Sequence, residues 1–258
     1  MARPNLIDKF RQAVPAPAQR TLNALLRTAE GEGLTLYLVG GSVRDLLLER
    51  PTLDIDLTLK GDAPALARRV AAELPALRCV VHSAFRTATL KGAGFRLDVA
   101  TARVETYERP GALPSVRPGS LRDDLLRRDF TVNAMALALT GDRRGGIIDP
   151  FGGKADLKAG LLRVLYDGSF RDDATRILRG ARYESRLGSR FEPETLRRLK
   201  RDVGYLKAIS GPRIREELAR LWREPQPERI LLRLSELGAL QAIHPTLSFD
   251  GSQAEAFG

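Results

Sequence analysis

Two carboxylates, Asp54 and Asp56, stand two apart in the run Leu53-Asp54-Ile55-Asp56-Leu57-Thr58-Leu59. Strict alternation of apolar and polar residues predicts a half-buried strand. Side chains two apart on a strand point the same way, roughly 7 Å apart along the chain. Asp54 and Asp56 are therefore expected on one face, with Leu53, Ile55, Leu57 and Leu59 anchoring the other. Two carboxylates on one exposed face repel each other and call for a cation. Oxygen-only donors select a hard ion, Mg²⁺ ahead of softer metals. Alone, Asp-x-Asp describes a solvated acidic strand face equally well.

The segment upstream narrows the chemistry. Leu34–Val39 is an apolar run rich in strand formers, Gly40-Gly41-Ser42 follows at once, and Val43–Leu48 reads as a short helix. A strand that passes through glycines into a helix presents backbone N–H groups to an anion. Gly40 and Gly41 let a phosphate approach the backbone, Ser42 adds a hydroxyl donor, Arg44 supplies positive charge, and Asp45 can fix the turn. A lone Gly-Gly pair would be an ordinary tight turn. A phosphate cradle, a helix and then paired carboxylates on the next strand form a much rarer order.

Leu38-Val39-Gly40-Gly41-Ser42-Val43-Arg44-Asp45-Leu46-Leu47-Leu48 followed by Asp54-Ile55-Asp56 resembles the catalytic head of class II tRNA nucleotidyltransferases. That family holds the CCA-adding enzymes and the related bacterial poly(A) polymerases. Arg127-Arg128-Asp129-Phe130-Thr131-Val132-Asn133-Ala134-Met135-Ala136 is similar to its ribose-binding block. Asp149-Pro150-Phe151-Gly152-Gly153 with Asp156-Leu157 is similar to its head-to-neck hinge. Asp172-Asp173-Ala174-Thr175-Arg176-Ile177-Leu178-Arg179-Gly180-Ala181-Arg182-Tyr183 is similar to its nucleotide-selecting helix. The likeness covers roughly Leu34–Leu187 and continues more weakly to Leu221. Four blocks in the family's order are specific together.

The resemblance implies an α+β fold: a DNA polymerase beta-like nucleotidyltransferase head with a mixed sheet, an all-helical neck, and the start of a helical body. The expected divisions are an N-terminal arm over 1–17, a head over 18–150, a neck over 151–210 and the body from 211 to 258. The arm is expected to be loose or a short helix. The family continues into a longer helical body and tail that hold tRNA. A chain ending at Gly258 is expected to be a truncated or unusually short member.

The implied reaction is Mg²⁺-dependent addition of C and/or A from CTP and ATP to the 3′ end of tRNA. Asp54 and Asp56 would hold two ions, an arrangement that stabilises the attacking and leaving oxygens of an in-line displacement. Phosphoryl transfer then needs chiefly positioning and charge neutralisation. Gly40, Gly41, Ser42 and Arg44 would grip the triphosphate. Arg128 and Asn133 would contact the nucleotide, Asn133 at the ribose 2′-hydroxyl, with Asp129 orienting these side chains. Arg127-Arg128 could otherwise be a solvated basic pair. Asp98, in the alternating run Phe95–Ala100, is the candidate third acidic group; the alternative is a surface carboxylate paired with Arg96.

Base choice is expected from Asp173 and Arg176, which at i and i+3 would share a helix face. A carboxylate accepts from an exocyclic amino group, and a guanidinium donates to a ring nitrogen. Cytosine and adenine both offer an amino group beside a ring acceptor. Uracil and guanine place a carbonyl there, and such a buried mismatch rejects an analogue strongly. A helix-surface ion pair is the plain alternative. The family usually has Glu where this chain has Asp172. Arg179 and Arg182 continue the helix and would reach the triphosphate or pair within the neck. Ser210–Leu218 resembles the neck-to-body block and reads as scaffold. The interval Thr106–Leu121, with Pro110, Gly111, Pro114, Pro118 and Gly119, is loop chemistry. In the family it holds a loop that helps switch nucleotide choice; here it is compact and proline-rich, a departure that bears on addition of the last A.

Composition agrees. The 258 residues, 43% of them hydrophobic, allow one large or two small domains. Net charge +10 suits a polyanionic partner such as RNA. The single cysteine, Cys79, excludes an internal disulfide and a multi-cysteine zinc site, and no disulfide-linked partner is expected. His82 and His244 are expected to be packed or solvent-facing. With no signal-peptide pattern at Met1 and no apolar run long enough for a bilayer, no membrane partner is expected and the cytoplasm is the expected location. A poly(A) polymerase is the alternative within the class. Outside it stand a catalytically idle RNA-binding module and a nucleotide-sensing regulator.

The remaining pattern predicts helices over Ala18–Glu30 and Pro64–Leu74, with Asp62 as N-cap of the second. Strands are expected at Val80–His82, Ala84–Leu90, Phe95–Ala100 and Ala134–Leu139. After Pro150 helices are expected at Lys154–Ala159, Asp172–Leu187, Pro193–Val203, Pro212–Trp222 and Pro227–Leu237.

Overall fold

A computed structural model describes residues 5–51 and 55–255. Asp54, with Leu53 before it, lies outside the described residues. The chain forms two compact units. One is drawn from Met1–Glu105, Val116–Arg128 and Val132–Lys154, the other from Thr106–Ser115, Asp129–Thr131 and Ala155–Gly258.

The first unit opens with α1 (Leu6–Ala13), capped by Asn5, whose side chain accepts from Asp8 N at 2.9 Å. Ile7 and Phe10 of α1 are buried, so this part of the expected arm contributes to the core. Helix α2 (Ala16–Gly31) buries Leu22, Leu25 and Leu26, one stripe at helical spacing. Then come β1 (Leu36–Val39), α3 (Gly41–Leu47), β2 (Ile55–Leu59) and α4 (Ala63–Glu73). Asp62 caps α4, accepting from Ala65 N at 3.0 Å.

Strands β3 (Arg78–His82), β4 (Thr87–Gly92) and β5 (Phe95–Thr101) follow. Strand β4 starts later than Ala84 because Ser83–Phe85 makes a 3₁₀ turn ending at Arg86 in the left-handed region, φ 53°. Next are β6 (Arg103–Thr106) and β7 (Ser115–Pro118), which pair as a separate ribbon, then α5 (Leu121–Leu126), β8 (Ala136–Ala138) and β9 (Ile147–Ile148).

The main sheet has seven strands in the order β3-β4-β5-β2-β1-β8-β9. Within it β2 and β5 run parallel while the other adjacent pairs are antiparallel. Ile55, Leu57 and Leu59 of β2 are buried and Asp56 is half-exposed, but Thr58 on the Asp56 face is fully buried, so the expected alternation holds at Asp56 and is lost at Thr58.

The second unit is helical. Helix α6 (Gly153–Ala159) leads into β10 (Leu161–Leu162), α7 (Ser169–Asp172) and α8 (Thr175–Leu187). β11 (Arg190–Phe191), which pairs parallel with β10, is followed by α9 (Pro193–Asp202), α10 (Gly211–Leu221), α11 (Pro227–Glu236), α12 (Ala239–Ile243) and α13 (Gly251–Glu255). Phe130 is fully buried, edge-on to Tyr183 with ring centres 6.0 Å apart.

The expected continuous helix from Asp172 to Leu187 is broken. α7 ends at Asp172, and Asp173 is extended, φ −142° and ψ 94°. Its Oδ1 accepts from Thr175 N at 3.1 Å and Thr175 Oγ1 at 2.6 Å. A short acceptor side chain that satisfies nearby backbone donors competes with the helix ladder and favours a fresh start. No helix among the described residues is long and apolar enough to cross a membrane.

Candidate nucleotide-binding and catalytic residues

In the first unit the glycine turn, Arg128 and Asp56 converge. Gly40 has φ 73° and ψ −139°, a conformation natural to glycine. A Cβ there would stand 2.5 Å from Arg128 Nη1 and 3.9 Å from Asp56 Oδ2. The missing side chain is what lets the guanidinium meet the turn, while the carboxylate stands at ordinary contact distance. Ser42 is buried and its Oγ lies 3.5 Å from the Asp56 amide, which donates to it. The turn and the acidic strand are thus tied together.

Arg44 is placed differently from a free anion grip. It is buried; Nε and Nη2 donate to the Asp45 carboxylate at 2.9 and 3.0 Å, and Nη1 donates to Asn133 Oδ1 at 2.6 Å. Its guanidinium still lies against the turn, with Nη2 3.4 Å from the Cβ position of Gly41. Asn133 ends a 3₁₀ turn, Thr131–Asn133, and is also buried. Arg44 and Asn133 therefore hold each other.

Arg128 is steered from below by Asp124, a residue that sequence reasoning passed over. Asp124 is fully buried on α5. Its Oδ2 accepts from Arg128 Nη2 at 3.2 Å, and its Oδ1 from Arg127 Nη2 at 2.9 Å. Arg127 Nη1 also reaches Glu105 Oε1 at 3.0 Å, so Arg127 is no solvated member of a basic pair. Burial alone would raise the Asp124 pKa, but the two guanidiniums and their hydrogen bonds outweigh it and hold the carboxyl below its usual range. The signal available in the sequence was spacing: Asp124 precedes Arg127 and Arg128 by three and four residues in a helical stretch.

Asp98 stands beside Asp56, its partner in the parallel β2–β5 register. Its carboxylate is already engaged: Oδ1 accepts from Thr89 Oγ1 and Oδ2 pairs with Arg96 Nη2 at 2.8 Å. Asp98 thus makes the ion pair with Arg96 raised as its alternative, while standing next to Asp56 in the sheet. Among the described residues no three His, Cys, Asp or Glu side chains form a ligand cluster. Any set built on Asp54 falls outside those residues. What is described fits a hard cation in kind: Asp56 is a half-exposed oxygen donor beside the turn.

The second unit gathers Asp129, Asp173, Arg176, Arg179 and Arg182. Arg176 is buried near the start of α8; its Nη1 donates to Ser169 Oγ at 2.6 Å and to Tyr166 Oη at 3.2 Å. Tyr166 Oη in turn donates to Asp172 Oδ2 at 3.0 Å. Burial pushes the Tyr166 phenol up, and Asp172 adds to this against the opposing charge of Arg176. Tyr166 and Ser169 were not singled out in the sequence, since they precede the matching block. Asp173 is not on the α8 face with Arg176, so the shared-face argument from i,i+3 spacing does not hold. The two remain linked by Arg176 N donating to Asp173 O at 3.1 Å.

Asp129 is buried and takes Arg179: Nε and Nη2 donate to its Oδ2 at 2.9 and 2.7 Å. Its Oδ1 accepts from Phe130 N at 2.8 Å. Instead of a role confined to orienting Arg128 and Asn133, Asp129 thus anchors α8. Burial would lower the Arg179 pKa, but Tyr183, Asp129 and Glu217 hold it well above its ordinary value. Arg182 lies 3.6 Å from Glu217 Oε2 and 3.5 Å from Glu224 Oε1. Both arginines are built into the helical unit.

The chain matches known proteins over most of its length. Residues 36–163 match the poly(A) polymerase head domain, and residues 189–250 match the probable RNA and SrmB-binding site of polymerase A. The A-adding tRNA nucleotidyltransferase of Halalkalibacterium halodurans is 40% identical over 255 residues, 97% of this chain and 59% of the relative. The CC-adding tRNA nucleotidyltransferase of Deinococcus radiodurans is 41% identical over 223 residues, 84% of this chain and 58% of the relative. A solved apo CCA-adding enzyme superposes with a TM-score of 0.87 at 39% identity, over 98% of this chain and 60% of that one. The chain spans about three fifths of the length of each. By these matches, taken with its mixed α+β architecture, this chain belongs to the tRNA nucleotidyltransferase and poly(A) polymerase family.

Proposed function

We propose that this chain carries the catalytic part of a template-independent RNA nucleotidyltransferase that adds C and/or A, from CTP and ATP, to the 3′ end of tRNA in the cytoplasm. The observation that carries the reading is the approach of Arg128 Nη1 and Asp56 Oδ2 to the side-chain-free face of Gly40. A triphosphate needs a backbone turn it can touch, a cation beside that turn, and a metal ligand within reach. The first unit supplies all three.

Asp56, with Asp54, would hold Mg²⁺. Bound there, Mg²⁺ supplies charge neutralisation at the attacking and leaving oxygens. Gly40, Gly41 and Ser42 offer the turn to the phosphates. Arg128, seated by Asp124, donates to them, because a guanidinium fork suits phosphate oxygens. Arg44 and Asn133 lock together beside the turn, and an amide such as that of Asn133 can both donate to and accept from a ribose hydroxyl. Asp98 stands ready as a neighbouring carboxylate once Arg96 is drawn off. Asp173 and Arg176 read the base, the carboxylate at an amino group and the guanidinium at a ring nitrogen. Asp129, Arg179 and Arg182 hold α8 so that Asp173 and Arg176 keep their places.

The test offers tRNAs ending at the discriminator base, at C and at CC, each with a single labelled nucleotide and Mg²⁺. Incorporation of C or A, and not of U or G, supports the proposal and reports which steps the chain performs. Long tails from ATP with little use of CTP would assign poly(A) synthesis instead. Nucleotide binding with no incorporation on any acceptor would contradict transfer.

A further inference from the structure

We propose that Arg213 is a positioning residue for nucleotide choice: it fixes the carboxylate of Asp173 so that one oxygen is held and the other is presented. The inference rests on the reading of Asp173 as a base-selecting group.

Arg213 lies on α10, forty residues along the chain from Asp173. Its Nη2 donates to Asp173 Oδ1 at 2.8 Å. The same oxygen accepts from Thr175 N at 3.1 Å and from Thr175 Oγ1 at 2.6 Å. Three donors converge on Oδ1, and among the described residues none is bonded to Oδ2. A carboxylate oxygen has about two lone pairs to share, so Oδ1 is saturated and Oδ2 is the one left to accept from a base amino group. Thr175 alone makes a local turn, and a carboxylate held through one neighbouring residue keeps torsional freedom. A guanidinium arriving from another helix removes it.

Arg213 is itself held. Its Nη1 donates to the Gly111 carbonyl at 3.4 Å, in the Thr106–Ser115 segment of the same unit. Gly111 has φ 79°, and a Cβ there would run into the Ala208 carbonyl. The segment can therefore lie against Ala208 only through a glycine, and in that position it offers Arg213 a second acceptor. Arg213 spans two fixed points, as a planar fork does and a lysine cannot. Both contacts are half-buried, where a charged hydrogen bond is weakened less by water than at the open surface.

The dissociation constants of CTP, ATP, UTP and GTP are measured for the purified chain and for Arg213→Ala, Arg213→Lys and Asp173→Asn. The wild type is expected to prefer CTP and ATP. Arg213→Ala is expected to shrink that preference by about tenfold or more while UTP affinity changes little, with Arg213→Lys in between. Equal weakening of all four nucleotides, or an unchanged preference in folded Arg213→Ala, overturns the proposal. If Arg213→Ala does not fold, Arg213→Lys decides: a reduced preference supports the proposal and an unchanged one overturns it. If Asp173→Asn relaxes choice and the Arg213 variants do not, only this inference fails. If Asp173→Asn leaves choice intact, or the wild type binds all four alike, the Asp173 reading fails and this inference with it.

Discussion

A methyl group on Gly40 would stand 2.5 Å from Nη1 of Arg128. That spacing is below any tolerated non-bonded contact, and the backbone there has φ 73°. Gly40→Ala therefore meets two obstacles, a side chain in a left-handed region and a displaced guanidinium. Nucleotide affinity should fall about tenfold or more, equivalent to ~1.4 kcal/mol. Titration with ATP and CTP checks this, with circular dichroism to confirm the fold. Unchanged affinity would remove the turn from the phosphate site.

Asp124 should matter to nucleotide binding without touching the nucleotide. Asp124→Asn keeps the shape but loses the charge that seats Arg127 and Arg128. The Michaelis constant for CTP or ATP is expected to rise more than the turnover number falls.

The Asp124 carboxyl also carries a pH signature. Its folded pKa is depressed, so its stabilising contribution is complete above the unfolded aspartate value of about 3.9 and is lost as pH falls through the lower folded value. Denaturation series at several acid pH values should show the wild type losing stability below about pH 4 and Asp124→Asn losing less. Equal acid sensitivity in both would show that other carboxylates dominate.

Arg179 offers a contrast between scaffold and substrate grip. Its partner Asp129 is buried, and removing Arg179 leaves that carboxylate uncompensated. Arg179→Met should cost about 2–3 kcal/mol in chemical denaturation, somewhat under a fully buried pair because Arg179 is partly exposed. Triphosphate affinity of the folded variant should stay as in the wild type. A stable variant with a lost triphosphate affinity would assign Arg179 to the substrate instead.

The sequence was most legible where one local rule decided the outcome. The alternation of Ile55 to Leu59 predicts a strand, and β2 is that strand with Asp56 half-exposed, although Thr58 on the same face is buried by the rest of the unit. The Gly40-Gly41 turn between strand and helix is equally local. Asp172–Leu187 was less legible, because helical spacing does not reveal that Asp173 will commit one carboxylate oxygen to Thr175 and break the helix. Arg44 reads from the sequence as a triphosphate grip. Its guanidinium donates to Asn133, 89 residues away, a separation that periodicity cannot bridge. Asp98 lies next to Asp56 only because β5 returns parallel to β2, a pairing set by the whole sheet.

Asp56, together with Asp54, is proposed to make this a metal-dependent transferase. The most direct measurement is incorporation of labelled CMP and AMP into tRNA, with and without Mg²⁺, by the wild type and by Asp56→Ala. Mg²⁺-dependent incorporation is expected from the wild type, with a loss of at least about a hundredfold in Asp56→Ala while its melting curve stays cooperative. Turnover retained in a folded Asp56→Ala chain would contradict that proposal.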